Sequence, residues 1–173
     1  MTLELDLDKL NFIMMIGIPG SGKTTKSKAL ASQLTNADIS CVLISSDVVR
    51  EELKKTSQNV TNDDVFKKVD SLMQDAFKNG CNVVYDATNC NPFYRTRMIS
   101  KYKAWYNVNV IGAVLISSVR DALNANYQHD NVVPEDKVLR MYSELHRNPP
   151  SIFEGFDGLV AITHTTFNEG HDE

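Results

Sequence analysis

The run Gly17-Ile18-Pro19-Gly20-Ser21-Gly22-Lys23-Thr24 fits the pattern G-x-x-x-x-G-K-[ST] in full. Its three glycines let backbone N–H groups turn inward around a phosphate. A helix opening at Lys23 would add its positive N-terminal end. Lys23 is then placed to reach the β- and γ-phosphates, and the Thr24 hydroxyl to hold Mg²⁺. The expected ligand is ATP with Mg²⁺. Its expected contacts are Gly17, Pro19, Gly20, Ser21, Gly22, Lys23, Thr24 and Thr25.

Two further groups could complete a reaction. In Ser45-Ser46-Asp47-Val48-Val49-Arg50 an apolar strand runs out into a carboxylate and, one helical turn on, a guanidinium. Asp47 is suited to accept a proton from a hydroxyl attacking the γ-phosphate. Arg50 is suited to hold a substrate phosphate in a two-pronged grip. Asp47 is equally suited to cap its helix, and spacing alone leaves both roles open. In Val83-Val84-Tyr85-Asp86-Ala87-Thr88-Asn89-Cys90-Asn91-Pro92, Asp86 follows an apolar strand at the position that holds Mg²⁺ directly or through water. Thr88 and Asn89 either enter the cleft or form the turn before Pro92.

These groups need elements that bring them to one edge. The apolar stretches Asn11–Ile16, Ser40–Ile44, Asn82–Tyr85, Val108–Ile116 and Gly158–Ile162 read as strands. Between them lie helical patterns: Lys23–Leu34, Asp47–Lys55, a helix capped by Thr61-x-x-Asp64 and running to about Lys78, Pro92 to about Trp105, Ser118–Tyr127 and Pro134–Leu145. Strand alternating with helix predicts an α/β fold, a five-stranded parallel sheet with helices on both faces. Ligands of such sheets sit at the carboxyl ends of the strands, where all three groups fall.

The 173 residues suit a single domain spanning 1–173, with residues 168–173 an acidic tail. With 42% hydrophobic and 23% charged residues the composition is globular, which excludes disorder, collagen and coiled coil. No apolar run approaches the roughly 20 residues of a membrane span. The acidic opening Glu4, Asp6, Asp8 does not read as a secretory signal. Cys41, Cys81 and Cys90 form no C-x-x-C pair and read as reduced thiols, so the expected location is cytoplasmic. The net charge of −4 is uneven. Residues 61–120 carry eight bases and five acids (+3), and residues 121–173 carry three and ten (−7). Any nucleic-acid contact is therefore expected in the middle third.

Taken together these residues resemble the polynucleotide 5′-kinase family, and more broadly the small P-loop kinases of nucleic-acid or small-molecule hydroxyls. The resemblance rests on GIPGSGKTT at 17–25, SSDVVREEL at 45–53, DATNCNP at 86–92, the helix start at Val133-Pro134, and PPSIFEGFDGL at 149–159. It implies the three-layer P-loop NTPase fold with a small helical lid over about residues 121–136. It implies Lys23 and Asp47 as catalytic residues, Asp47 as general base, and Thr24 and Asp86 at the metal. It also implies Arg50 as the clamp on the phosphate beside the accepting hydroxyl, Thr88 and Asn89 as cleft residues, and Arg95 and Arg97 as contacts to nucleic acid.

The sequence departs from the family in the lid, where the family has arginines over the ATP phosphates. Here no Lys or Arg stands between Arg120 and Lys137, and Asn124, Asn126 and Gln128 occupy the segment. An arginine at a transferring phosphate is worth about 10³–10⁵ in rate. The leading expectation is an ATP-dependent kinase of the 5′-OH of RNA or DNA, of the kind used in nucleic-acid repair. The alternatives are a kinase of a nucleoside, modified base or other small hydroxyl compound, and a catalytically weak P-loop nucleotide-binding protein. The sequence leaves the oligomeric state open, a homo-oligomer included.

Overall fold

The computed structural model describes residues 5–129 and 131–163. The acidic tail expected at 168–173 lies outside them. The elements run β1 (Leu10–Ile16), α1 (Lys23–Asn36), β2 (Cys41–Ser45), α2 (Ser46–Thr56), α3 (Asn62–Lys78), β3 (Asn82–Asp86), α4 (Pro92–Trp105), β4 (Val108–Leu115), α5 (Val119–Asn126), α6 (Glu135–Arg147) and β5 (Gly158–Ile162). All strand pairings are parallel, and the order across the sheet is β2-β3-β1-β4-β5.

The side-chain period of two in a strand explains how β1 holds the molecule together. Phe12, Met14 and Ile16 point to one face, where they meet Val49 of α2, Val65, Val69, Met73 and Phe77 of α3, and Ile99 and Tyr102 of α4. Ile13 and Met15 point to the other and meet Leu30 and Leu34 of α1. A strand covered on both faces has no polar side to show, hence its continuous apolar run. Each such fully buried side chain contributes about 1.5–3 kcal/mol. In the larger layer the rings of Phe12, Phe77 and Tyr102 meet at centroid distances of 5.4–6.1 Å.

The starts of α3, α4 and α5 carry side-chain caps. Thr61 and Asp64 form a reciprocal capping box on α3. Asn91 accepts from the Phe93 N–H, with Pro92 in the first turn of α4. α2 starts one residue earlier than its sequence suggests. Ser45 is its N-cap residue and Asp47 lies inside the first turn, so Asp47 does not cap the helix. α5, α6, the loop after β1 and the turn after β3 share a third, small cluster of Ile18, Cys90, Ala122 and Val138. No helix among the described residues is long and apolar enough to cross a membrane.

Candidate active site

β1 ends at Ile16 and the chain turns through Gly17–Gly22 into α1. Gly20 and Gly22 have φ of +77° and +85°, the left-handed region that glycine adopts without strain. Gly20 has a second reason to lack a side chain. A Cβ there would fall 2.0 Å from the Ala122 carbonyl oxygen, so the backbone of α5 rests directly on the loop.

Lys23 folds back under the loop. Its Nζ donates to the Ile18 carbonyl at 2.7 Å, with Ser21 Oγ at 3.5 Å. Burial pulls the ammonium below the ordinary lysine range, while the carboxylates of Asp86 and Asp47 act in the opposite sense. Carboxylates from the end of β3 and the start of α2 therefore bear on one ammonium from α1.

Asp86 is the meeting point of the hydroxyls. Thr24 Oγ1 donates to its Oδ2 at 2.8 Å and Ser45 Oγ lies 3.5 Å from the same oxygen. Ser46 Oγ reaches the Asp86 carbonyl at 3.4 Å. Ser45 sits directly beside Asp86 in the β2–β3 register. Ser45 and Ser46 were not among the residues picked out from the sequence. The signal available was a pair of hydroxyls at a strand end, which becomes meaningful once β2 is known to neighbour β3.

Asp47 is exposed at the mouth of this cluster. Arg50, one turn on, is half-buried, and its Nη2 donates to Asn62 Oδ1 at 2.9 Å at the start of α3. Thr88 is half-buried beside the loop, and its carbonyl accepts the Gly17 N–H at 2.9 Å. Pro19 is half-buried, Ser21 buried, and Thr25 and Arg97 exposed.

The structure gives two expected substrate contacts other partners within the protein. Asn89 is left-handed, with φ +47°, and its Nδ2 donates to the Met15 carbonyl at 2.7 Å. It stitches the turn after β3 to β1 and has spent its amide on backbone. Arg95 is wholly buried. Its Nε and Nη2 grip the Glu154 carboxylate at 2.6 Å each. Its remaining N–H groups donate to the carbonyls of Asn89, Cys90 and Asn148 at 2.8–3.1 Å. All five donors of the guanidinium are used inside the protein, so Arg95 cannot reach a nucleic acid. The sequence alone does not reveal this pairing, because Glu154 lies 59 positions away.

The segment expected as a lid comprises most of α5, a turn, and the start of α6. Asn124 and Gln128 are exposed, but Asn126 is buried. Its amide donates to the Val133 carbonyl at 2.7 Å and accepts the Val133 N–H at 3.1 Å, closing the turn on itself. Only two of the three amides therefore remain open to a ligand.

A glycine loop with left-handed turns at a helix start, a buried lysine, a threonine on a carboxylate and a second, exposed carboxylate nearby are groups suited to binding a polyphosphate and to taking a proton beside it. Comparison with known proteins fits that frame. The signal recognition particle 54 kDa protein of Methanococcus vannielii is 39% identical over 62 residues, 34% of this chain and 14% of that protein. The L-seryl-tRNA(Sec) kinase of Methanococcus maripaludis is 23% identical over 135 residues, 76% of this chain and 51% of that protein. The chain thus spans about half or less of the length of these relatives. Among solved structures, a chain of the Pnkp1/Rnl/Hen1 RNA repair complex superimposes with a TM-score of 0.68 at 20% identity, covering 86% of this chain and 47% of that one. That likeness is one of fold. The family model described as AAA domain matches residues 12–142, which hold β1 through most of α6 and the whole nucleotide cradle, and the chain belongs to that family.

Proposed function

We propose that this chain is an ATP-dependent phosphotransferase that moves the γ-phosphate to a hydroxyl, and that the acceptor is the 5′-hydroxyl of RNA or DNA. The observation that carries the phosphotransfer reading is the 2.8 Å bond from Thr24 Oγ1, at the start of α1 behind the glycine loop, to Asp86 Oδ2 at the end of β3. A plain Gly-rich turn needs no such carboxylate.

In this reading the loop N–H groups and Lys23 bind the β- and γ-phosphates. The Asp47 carboxylate takes the proton of the acceptor hydroxyl, whose oxygen bonds to the γ-phosphorus as the bond to the ADP oxygen breaks. Arg50 holds the phosphate next to that hydroxyl. Thr24 and Asp86 fit a Mg²⁺ ion, since a hydroxyl and a carboxylate oxygen held 2.8 Å apart are hard ligands and Mg²⁺ keeps water for its other positions. When bound it would neutralise charge between the β- and γ-phosphates. The RNA repair complex and the seryl-tRNA kinase support a nucleic-acid-linked acceptor by likeness.

One assay tests this. Labelled ATP is offered with 5′-hydroxyl oligonucleotides, with nucleosides and with no acceptor. Label transfer to oligonucleotides alone supports the reading. Transfer to nucleosides alone replaces the acceptor, and ATP binding without transfer reduces the chain to a nucleotide-binding protein.

A further inference from the structure

Three aromatic side chains near Arg50 have no part in the chemistry above. α3 ends a few residues before β3 starts, and its 17 residues span about 25 Å at 1.5 Å per residue. Its N-terminus is therefore carried back to the carboxyl edge of the sheet. α4 begins at that same edge, directly after the turn that follows Asp86. Phe66 lies one turn after Asn62, the partner of Arg50, on the same side of α3. The Phe66 ring stacks on Tyr94 of α4 with centroids 5.5 Å apart and planes 21° from parallel. Phe93 meets Tyr94 edge-on, also at 5.5 Å.

The three rings are 41%, 46% and 66% exposed for Phe66, Tyr94 and Phe93. Burial in the core accounts for none of them. α3 and α4 already supply Val65, Val69, Ile99 and Tyr102 to the interior. The exposed Arg97 follows Phe93 by four residues and Tyr94 by three, on the same face of α4. A ring surface with guanidiniums on neighbouring turns, Arg97 on α4 and Arg50 bonded to Asn62 one turn before Phe66, matches a strand of alternating bases and phosphates. Every base has a face to stack, and aromatic platforms along a basic track hold single strands without reading sequence.

We propose that Phe93 and Tyr94, backed by Phe66, form a stacking platform for a base near the 5′ end of a single-stranded nucleic-acid acceptor, with Arg50 and Arg97 on its flanking phosphates. This rests on the acceptor reading above and extends it. The platform binds the strand, and Asp47 performs the proton transfer.

The test uses a short 5′-hydroxyl single strand with a 3′ fluorophore, and the same strand made abasic at its first positions. Binding is measured by anisotropy to wild type, Phe93→Ala, Tyr94→Ala and Phe93→Trp, beside ATP binding and thermal unfolding. Phe93→Ala and Tyr94→Ala should each weaken binding of the normal strand about five- to a hundredfold. Phe93→Trp should retain binding. The abasic strand should bind wild type weakly and the alanine variants no worse. ATP binding and unfolding should not move. If wild type phosphorylates the strand while both alanine variants bind it like wild type, the platform is overturned and the acceptor reading stands. The rings would then serve a protein partner. If wild type neither binds nor phosphorylates the strand, both fall.

Discussion

Arg95 and Glu154 form a two-pronged ion pair, with both N···O distances 2.6 Å, between α4 and the short 3-10 turn Ile152–Glu154. The pair ties the segment after α6 to the carbonyls of Asn89 and Cys90, in the turn that also holds Gly17. Removing one partner of a buried pair leaves the other charge uncompensated, which costs about 3–5 kcal/mol. Arg95→Ala should therefore lower the unfolding free energy by that order in urea titration. Arg97→Ala, on an exposed site of the same helix, should change it by less than about 0.5 kcal/mol.

Asp47 and Arg50 should separate kinetically. Asp47→Ala is expected to lower turnover by about 10²–10⁴ with ATP affinity nearly unchanged, since a general base acts on the acceptor proton. Arg50→Ala should raise KM for acceptors with a phosphate beside the hydroxyl and spare phosphate-free ones. Its bond to Asn62 gives a control, because Asn62→Ala tests whether losing that contact alone has the same effect. Steady-state kinetics with nucleoside and oligonucleotide acceptors decide the matter.

Asn126 is committed to Val133, which leaves Asn124 on α5 and Gln128 just beyond its end as the exposed amides. Gln128→Arg should raise turnover at saturating ATP by at least about tenfold, because an arginine at a transferring phosphate is worth 10³–10⁵ when well placed. The opposing result is no change in Gln128→Arg together with a tenfold loss in Arg120→Ala or Arg140→Ala, which would mean that one of those exposed arginines already serves the phosphates.

Asp70 offers a pH test away from the site. Burial pushes its carboxyl up, but bonds from Lys101, Tyr102 and Gln74 outweigh this and leave it below the usual carboxylate range. A depressed folded pKa contributes stability that is present above the unfolded value of about 3.9 and is lost as pH falls through the folded value. Asp70→Asn should thus cost about 1–2 kcal/mol at pH 7, and the gap to wild type should begin to narrow below about pH 4 and close only below the folded value. A gap that is equal at both pH values would show that the carboxylate charge contributes nothing.

The strand and helix pattern and the class of sheet were legible in the sequence because they depend on short-range periodicity. β1 must be apolar throughout if both its faces are covered, and α3 announces its start through Thr61 and Asp64. The phosphate loop was legible for the same reason, since its glycines and Lys23 are contiguous. What Thr24, Ser45 and Asp86 do together was not contiguous information. They belong to three elements and meet only because β3 is inserted between β1 and β2. Side-chain fate was decided by tertiary structure too. Arg95 and Arg97 differ by two positions on one helix, about 200° of rotation at 3.6 residues per turn. One faces Glu154 and the interior, the other solvent. Asn89 and Asn126 are ordinary polar residues in sequence, and each is spent on a backbone carbonyl that only the folded chain brings within reach. Local spacing determines which residues can do chemistry, but the packing of distant segments determines which of them remain free to do it.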